Sequence, residues 1–384
     1  MPCHRPPIFY QLYWNRRPFV VRKALSSAEI EGLISADELA GLAMEEAPRS
    51  RMLKTAGSSD DWSCDYGPFG EGDFAAAGEA DWSLLVQNVE QFHPDTADLL
   101  SHFDFVPRWL LDDIMVGFSA PGGTVGAHID TYHVFLIQGQ GQRRWKIGRE
   151  PISDEVYIQG LDFKVLVDGF DGDEVVVESG DVLYIPPKFG HDGVTLKSAV
   201  TYSVGLLGPK MSELFSGYGQ YLSEHEQLDQ RYVGEDLDIE SSGFILSPSA
   251  VDNLRNQLSE RLIAKDFTQW LVEFFTESTH EEFGIYTERE DVLCLDSFSA
   301  ALNDGASLIK PNFIKFAVTA APGGEFHLGF DCHSFALDEG RFTVVQALVK
   351  EQAVNAQNLP ALMHHLEFLH ELYNHEALEF AENS

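Results

Sequence analysis

Between residues 113 and 207 the chain alternates short apolar or β-branched runs with glycine, proline and aspartate. The runs are Ile114–Phe118, His133–Gln138, Arg143–Ile147, Val175–Val177, Val182–Ile185 and Ser198–Leu206. Many short strands with turns and no long helices between them predict an antiparallel barrel or sandwich rather than a parallel sheet. Upstream, residues 12–110 mix extended stretches with helices predicted over Ala28–Met44 and Trp82–Phe92, and Arg16–Arg22 reads as a short opening strand. After Gly208-Pro209 the period becomes helical. Ser247 offers an N-cap and Pro248 a first helical residue, followed by Val251, Leu254, Leu258 and Leu262 at three- and four-residue steps. A second stripe, Phe267, Trp270, Leu271, Phe274 and Phe275, is strongly apolar. Two such stripes following a barrel predict an interface between copies of the chain. Gln227–Ser242 is polar and acidic, as an exposed connection would be. From about Glu288 a small α+β unit is expected, with strands in Leu308–Thr319 and Glu325–Phe330 and a last helix marked by Leu362, Leu366, Leu369 and Leu372.

A chain of 384 residues predicts two or three domains. It contains no run of eighteen apolar residues, and Met1–Pro7 lacks the charged-then-apolar plan of a secretion signal, so no membrane association and a cytoplasmic location are expected. Cys3, Cys64, Cys294 and Cys332 are scattered without a paired spacing and read as free thiols. Charge changes the picture more. The net formal charge is −35, with 17 basic against 31 acidic side chains up to Lys210 and 9 against 30 beyond it. The shorter C-terminal part is therefore the more acidic. Such a surface cannot release the counterions of a polyanion, which argues against direct nucleic-acid binding and for a basic protein partner or simple solubility.

The candidate chemistry lies where predicted strands meet loops. His128 and Asp130 stand two apart in Gly126-Ala127-His128-Ile129-Asp130, and alternation along a strand would point both side chains the same way. His191 follows after Pro186-Pro187-Lys188-Phe189-Gly190. Two imidazoles and one carboxylate that close one face of a metal and leave the other open suit a non-haem Fe(II) oxygenase. An oxygenase of this kind also needs a two-electron donor, and a 2-oxoacid chelates iron through its keto and carboxylate oxygens. Its far carboxylate requires a cation, for which Arg143 is the candidate, sharing a strand face with Trp145 while Arg144 and Lys146 point the other way. His133, at odd spacing from His128, should point away from the metal. Asp168–Glu174 lacks the ligand order of a calcium loop, and Cys332-His333 has no zinc partners at usable spacing.

These segments resemble a known family. Phe118-Ser119-Ala120-Pro121-Gly122-Gly123, the His128–Asp130 segment, Val134–Gly139, Arg143-Arg144-Trp145 and Gly180–Pro187 are similar to bacterial JmjC-type ribosomal oxygenases, and the similarity continues through Asp37–Met44, Asp81–Gln87 and Gln269–Leu271. The resemblance implies a mixed α+β chain: a double-stranded β-helix of the cupin and JmjC type with an N-terminal helical elaboration over 1–208, a helical dimerisation region over 209–285, and a winged-helix-like α+β domain over 286–384. It implies His128, Asp130 and His191 as ligands of Fe(II), and Arg143, with Ser119 as a weaker candidate, as contacts of the cosubstrate 2-oxoglutarate. Gly117 stands where a polar residue would be expected. Dioxygen is the oxidant, a homodimer the expected assembly, and an arginine of large-subunit ribosomal protein L16, hydroxylated at its third carbon, the expected target. Read without the resemblance, the triad leaves other targets open, such as histidine hydroxylation or lysine demethylation. A metal-dependent cupin isomerase or decarboxylase, or a non-catalytic interaction module, is also compatible.

Overall fold

The computed structural model describes residues 6–55, 62–225, 227–234, 244–277, 292–320, 324–350 and 353–381, which fall into two compact units dividing at Gly208 and Pro209. The first unit is built on a nine-stranded antiparallel sheet. Its strands are β1 (Phe19–Val21), β2 (Ser50–Thr55), β3 (Trp62–Tyr66), β4 (Trp82–Val86), β5 (Leu111–Ser119), β6 (His133–Pro151), β7 (Gly172–Glu178), β8 (Val182–Ile185) and β9 (Phe189–Leu206). Along the main path the order is β1-β8-β6-β9-β5-β4-β2-β3, with β7 pairing β6.

Two long strands make the unit hollow. The first half of β6, Val134–Ile137, lies between β8 and the end of β9; the second half, Gln142–Gly148, lies between β7 and the start of β9. Between these halves the register slips repeatedly over Gln138–Arg143. Bulges bend a strand, and here they carry β6 and β9 from one layer into the other. Gly141, with φ of +72°, occupies the corner, where a Cβ would lie 2.0 Å from the Ser198 carbonyl oxygen. The expected strands His133–Gln138 and Arg143–Ile147 are thus one bent strand, and the strand expected from Ser198 begins nine residues earlier at Phe189.

The N-terminal elaboration closes the outer side. Phe9 packs edge-on against Tyr184 and near Phe135, in a core that also takes Ile30, Leu39, Leu84, Val116 and Tyr202. Asp181, 3% exposed, accepts from Arg22 at 2.6 Å and from the Lys23 backbone at 2.9 Å, which ties β1 to the edge of β8. The single helix expected over Ala28–Met44 is two, Ser27–Ile30 and Ala36–Met44. Gly32 at φ +81° ends the first, and a capping box restarts the chain: the Ser35 hydroxyl accepts from the Glu38 backbone, and the Glu38 carboxylate accepts from the Ser35 backbone. Trp82–Phe92 is not a helix. Ser83–Val86 are all buried as a strand between β2 and β5, and only Val89–Phe92 is helical. Apolar residues on both faces of a central strand imitate a buried helix turn.

The second unit begins with a helix, Met211–Glu224, that the sequence pattern missed. Helices Pro248–Leu262, capped by the Ser247 hydroxyl, and Lys265–Thr276 follow. Trp270 packs against Tyr218 and Phe274, and Tyr218 donates to Asp266, which also pairs with Arg261. The stripe on Lys265–Thr276 is partly spent within the unit, since Trp270 and Val272 are buried and the Val272 carbonyl meets Gly329 so closely that a Cβ there would lie 2.2 Å away. By contrast, Met211, Phe215, Leu258 and Ile263 are each exposed by 66% or more. The remaining strands are β10 (Leu308–Ile309), β11 (Ala317–Ala320), β12 (Phe326–Phe330), β13 (His333–Leu337) and β14 (Glu379–Phe380). They form a β11-β12-β13 sheet and a small β10-β14 pair around a core with helices Leu295–Asn303, Glu339–Lys350 and Leu366–Asn374. The second half of the acidic stretch Gln227–Ser242 lies outside the described residues.

Candidate metal centre

His128 and Asp130 precede β6 in an irregular segment, so strand alternation is not what aligns them. A backbone bridge does the work instead. The His128 N–H donates to the His191 carbonyl at 3.0 Å and the His191 N–H to the His128 carbonyl at 2.9 Å, which sets the two imidazoles side by side with ring centroids 4.1 Å apart. Asp130 is anchored separately: its carbonyl accepts at 2.7 Å from Lys188, in the turn leading into β9. One potential ligand atom from each of the three residues lies within 4.8 Å of the other two.

Both rings present the right nitrogen. His128 Nδ1 lies 2.8 Å from the Gly126 carbonyl and His191 Nδ1 lies 3.1 Å from the Phe189 carbonyl. A carbonyl only accepts, so each Nδ1 carries the proton and each Nε2 keeps its lone pair for a metal. Burial and the neighbouring His191 ring push the His128 imidazole down to about 4, so it is neutral at physiological pH. Burial acts to raise the Asp130 carboxyl, but the adjacent His191, with His128 and Tyr132, holds it below its ordinary value. Two imidazoles with Nδ1 turned to carbonyls and a carboxylate, with no fourth protein donor in the group among the described residues, fit a divalent iron with open positions.

The triad borders a cavity of about 360 Å³. Arg143 enters the same cavity, buried to 5% exposure, with Nη2 donating to the Gly193 carbonyl at 2.8 Å, Nη1 lying 3.5 Å from Thr201 Oγ1, and the guanidinium carbon 4.8 Å from the centre of the Trp145 ring. Among the described residues its Nε has no hydrogen-bond partner. Burial brings this guanidinium down to about 10, still charged at neutral pH. An incompletely satisfied buried cation beside a metal site is fitted to a carboxylate. Ser119 is placed differently: fully buried, its hydroxyl is 2.8 Å from that of Ser83, and it does not line the cavity. His133 points away as expected, bonded to the Tyr184 hydroxyl at 2.8 Å and stacked on Trp14.

A hairpin over residues 156–167 flanks the mouth. Ile158 donates to Val165, Val167 to Val156, and Leu166 to the Ala127 carbonyl at 2.7 Å, one residue before the first ligand. Gly126, at φ +81°, lets this close: a Cβ would come within 3.0 Å of both Val165 and Trp62. The hairpin brings Asp162, Phe163 and Lys164 to the cavity, and Asp112 and Asp113 line it from β5. Sequence inspection found none of these, nor Thr201, because each reaches the site through pairing register rather than motif.

Comparison with known proteins agrees with this geometry. A JmjC domain profile matches residues 98–214. The chain is 39% identical over 278 residues to the ribosomal protein uL16 3-hydroxylase of Escherichia coli (strain K12), covering 72% of each chain. It is also 39% identical over 219 residues to a probable ribosomal oxygenase of Haemophilus influenzae, covering 56% of this chain and 53% of that one. Among solved structures, YcfD, a ribosomal oxygenase from Escherichia coli in complex with cobalt and 2-oxoglutarate, superposes with a TM-score of 0.81 at 32% identity, covering 99% of this chain and 98% of that one. With the sheet, the His-Asp-His face and this extent of similarity together, the chain belongs to the JmjC-type ribosomal oxygenases.

Proposed function

We propose that this protein is an Fe(II)- and 2-oxoglutarate-dependent hydroxylase that places a hydroxyl on the third carbon of an arginine in ribosomal protein uL16. The observation that carries the reading is a three-donor metal face and a buried, incompletely satisfied Arg143 in one cavity. His128, Asp130 and His191 would hold the iron, and Arg143 the far carboxylate of 2-oxoglutarate; Ser119, paired with Ser83, lies behind the wall. When bound, the two together supply dioxygen activation, one oxygen atom entering the substrate C–H bond and the other entering succinate as carbon dioxide leaves. The protein's own part is to fix distance and exclude side reactions. Asp112, Asp113 and Asp162 at the same cavity give a guanidinium an attractive approach, and the net charge of −35 draws in a basic protein loop. The uL16 3-hydroxylase of Escherichia coli supports this choice of substrate.

A ribosomal substrate supports a cytoplasmic location for the protein. Residues 1–208 form the catalytic domain in this reading, 209–285 a dimerisation region and 286–384 a winged-helix-like domain. Exposed Met211, Phe215, Leu258 and Ile263 support coverage by a second copy, and the acidity of the last part supports a protein-facing rather than nucleic-acid-facing role. The deciding experiment is mass spectrometry of uL16 from cells with and without the gene. Gain of one oxygen on an arginine, dependent on the gene and absent with His191→Ala, is expected; identical uL16 masses in the two strains would refute the assignment.

A further inference from the structure

Arg51 lies on β2 at the end of a cross-strand row. Thr201 pairs with Gly117, Gly117 with Leu85, and Leu85 with Arg51, so these four side-chain positions share one face of the sheet. Thr201 lies beside Arg143 at one end. Arg51 is three strand spacings away, roughly 14 Å. Leu85 leans over Gly117 between them, where a Cβ would lie 2.9 Å from Leu85 Cδ2, and all four residues line the cavity.

Arg51 is chemically unusual. The side chain is partly buried, its Nε is covered from solvent, and among the described residues its guanidinium has no hydrogen-bond or ion-pair partner. The chain holds 61 acidic side chains against 26 basic ones, yet among the described residues none pairs with this cation in the wall of the cavity. Covering a charged donor without a partner is costly, so an acceptor supplied from outside is the natural complement. That acceptor is not the far carboxylate of the 2-oxoacid, which Arg143 would hold beside Thr201 at the other end of the row. Nor can it be the substrate guanidinium, which a like charge repels. A basic loop offers its main-chain carbonyls.

We infer that Arg51 is a substrate-binding residue whose guanidinium donates to a main-chain carbonyl of the protein substrate beside the modified side chain. This rests on the hydroxylase reading above and adds to it a polarity for the bound loop. The backbone is gripped on the β2 and β4 side, and the target side chain is directed away from Arg51 toward the iron, with Asp112 and Asp113 drawing its guanidinium. Leu85 and Leu53 make the intervening wall apolar, which strengthens the bond by keeping water from it.

The test uses the full chain loaded with Mn(II) and 2-oxoglutarate without oxygen, and a fluorescent peptide copying an arginine-containing loop of uL16. Arg51→Ala is expected to weaken peptide binding by ~10- to 100-fold, the scale of one charge-assisted hydrogen bond, while 2-oxoglutarate and Mn(II) affinities stay within about twofold. Arg51→Gln, which keeps neutral N–H donors, should recover part of the loss. Unchanged peptide affinity in Arg51→Ala, or a parallel loss of 2-oxoglutarate binding, overturns the inference; so does Arg51→Gln binding as poorly as Arg51→Ala, which would mark a carboxylate as the partner. Hydroxylation of the same peptide is followed separately in oxygen with Fe(II). Peptide that binds the unaltered protein but gains no oxygen refutes the reaction and leaves the affinity ratio to decide Arg51; peptide that does not bind refutes both.

Discussion

Among the described residues two histidine pairs lie close together, and only one of them is joined by a carboxylate into a group that could hold a metal. His128 and His191 have ring centroids 4.1 Å apart, and His333 and His375, in the second unit, 4.3 Å apart. Spacing alone does not separate them. The first pair is locked by reciprocal backbone hydrogen bonds, has both Nδ1 atoms at carbonyls, and shares Asp130 as a third donor. The second pair is exposed, and among the described residues no third donor closes a group around it. Its rings also sit at a tight turn, where Asp331 and Cys332 both take positive φ. A pair of imidazoles becomes a ligand set when its protons are assigned and a carboxylate completes the face.

This contrast can be broken by experiment. The largest effect is expected from His191→Ala, which should reduce Fe(II) retention beyond the roughly 100-fold that loss of an outer hydrogen-bond partner costs, and bring turnover to background. His333→Ala should leave iron stoichiometry, read by elemental analysis, unchanged; a loss of iron there would erase the distinction. Next is Arg143→Ala, expected to raise the KM for 2-oxoglutarate at least ~10-fold, with metal affinity held, as measured by succinate formation at varied cosubstrate.

Acid stability gives a smaller effect. The His128 imidazole is near 4 in the folded protein and near 6.5 when unfolded, so between these values the unfolded chain binds more protons. Stability of the metal-free protein therefore falls as pH drops through that window, by about 3 kcal/mol. Urea denaturation across pH should show this slope, and His128→Asn should remove much of it. The smallest effect belongs to His375. Burial, then His333, lowers its pKa, opposed by Glu371 and Asp331, and its ring is largely in solvent. His375→Asn should move stability by less than about 0.5 kcal/mol at any pH in the window.

Local chemistry made much of the site legible in advance. His128, Asp130 and His191 carried ligand types in suitable order, and the alternation of Arg143 with Arg144 correctly assigned one inward and one outward. Yet the reason given for His128 and Asp130 was wrong in detail, since a single bridge to His191 rather than a strand aligns them. Thr201 and Arg51 were invisible because a cross-strand row joins residues 150 positions apart without any local signal. Trp82–Val86 was misread because a strand buried on both faces shows no alternation. The strand content of the barrel was plain from its turn residues; the bend in β6 was not, because Gly139 and Gly141 read equally well as a hairpin turn.

The hairpin over 156–167 has a consequence for how such an enzyme can change its diet. Its arms are held by main-chain hydrogen bonds, including the bond from Leu166 to Ala127 beside the first ligand. Main-chain bonds do not depend on which side chains the tip carries. Asp162, Phe163 and Lys164 can therefore be exchanged, or the tip lengthened, without redrawing the segment that carries His128 and Asp130. The hairpin is a replaceable cassette mounted on a fixed oxidant, and new substrate preferences can be installed there first.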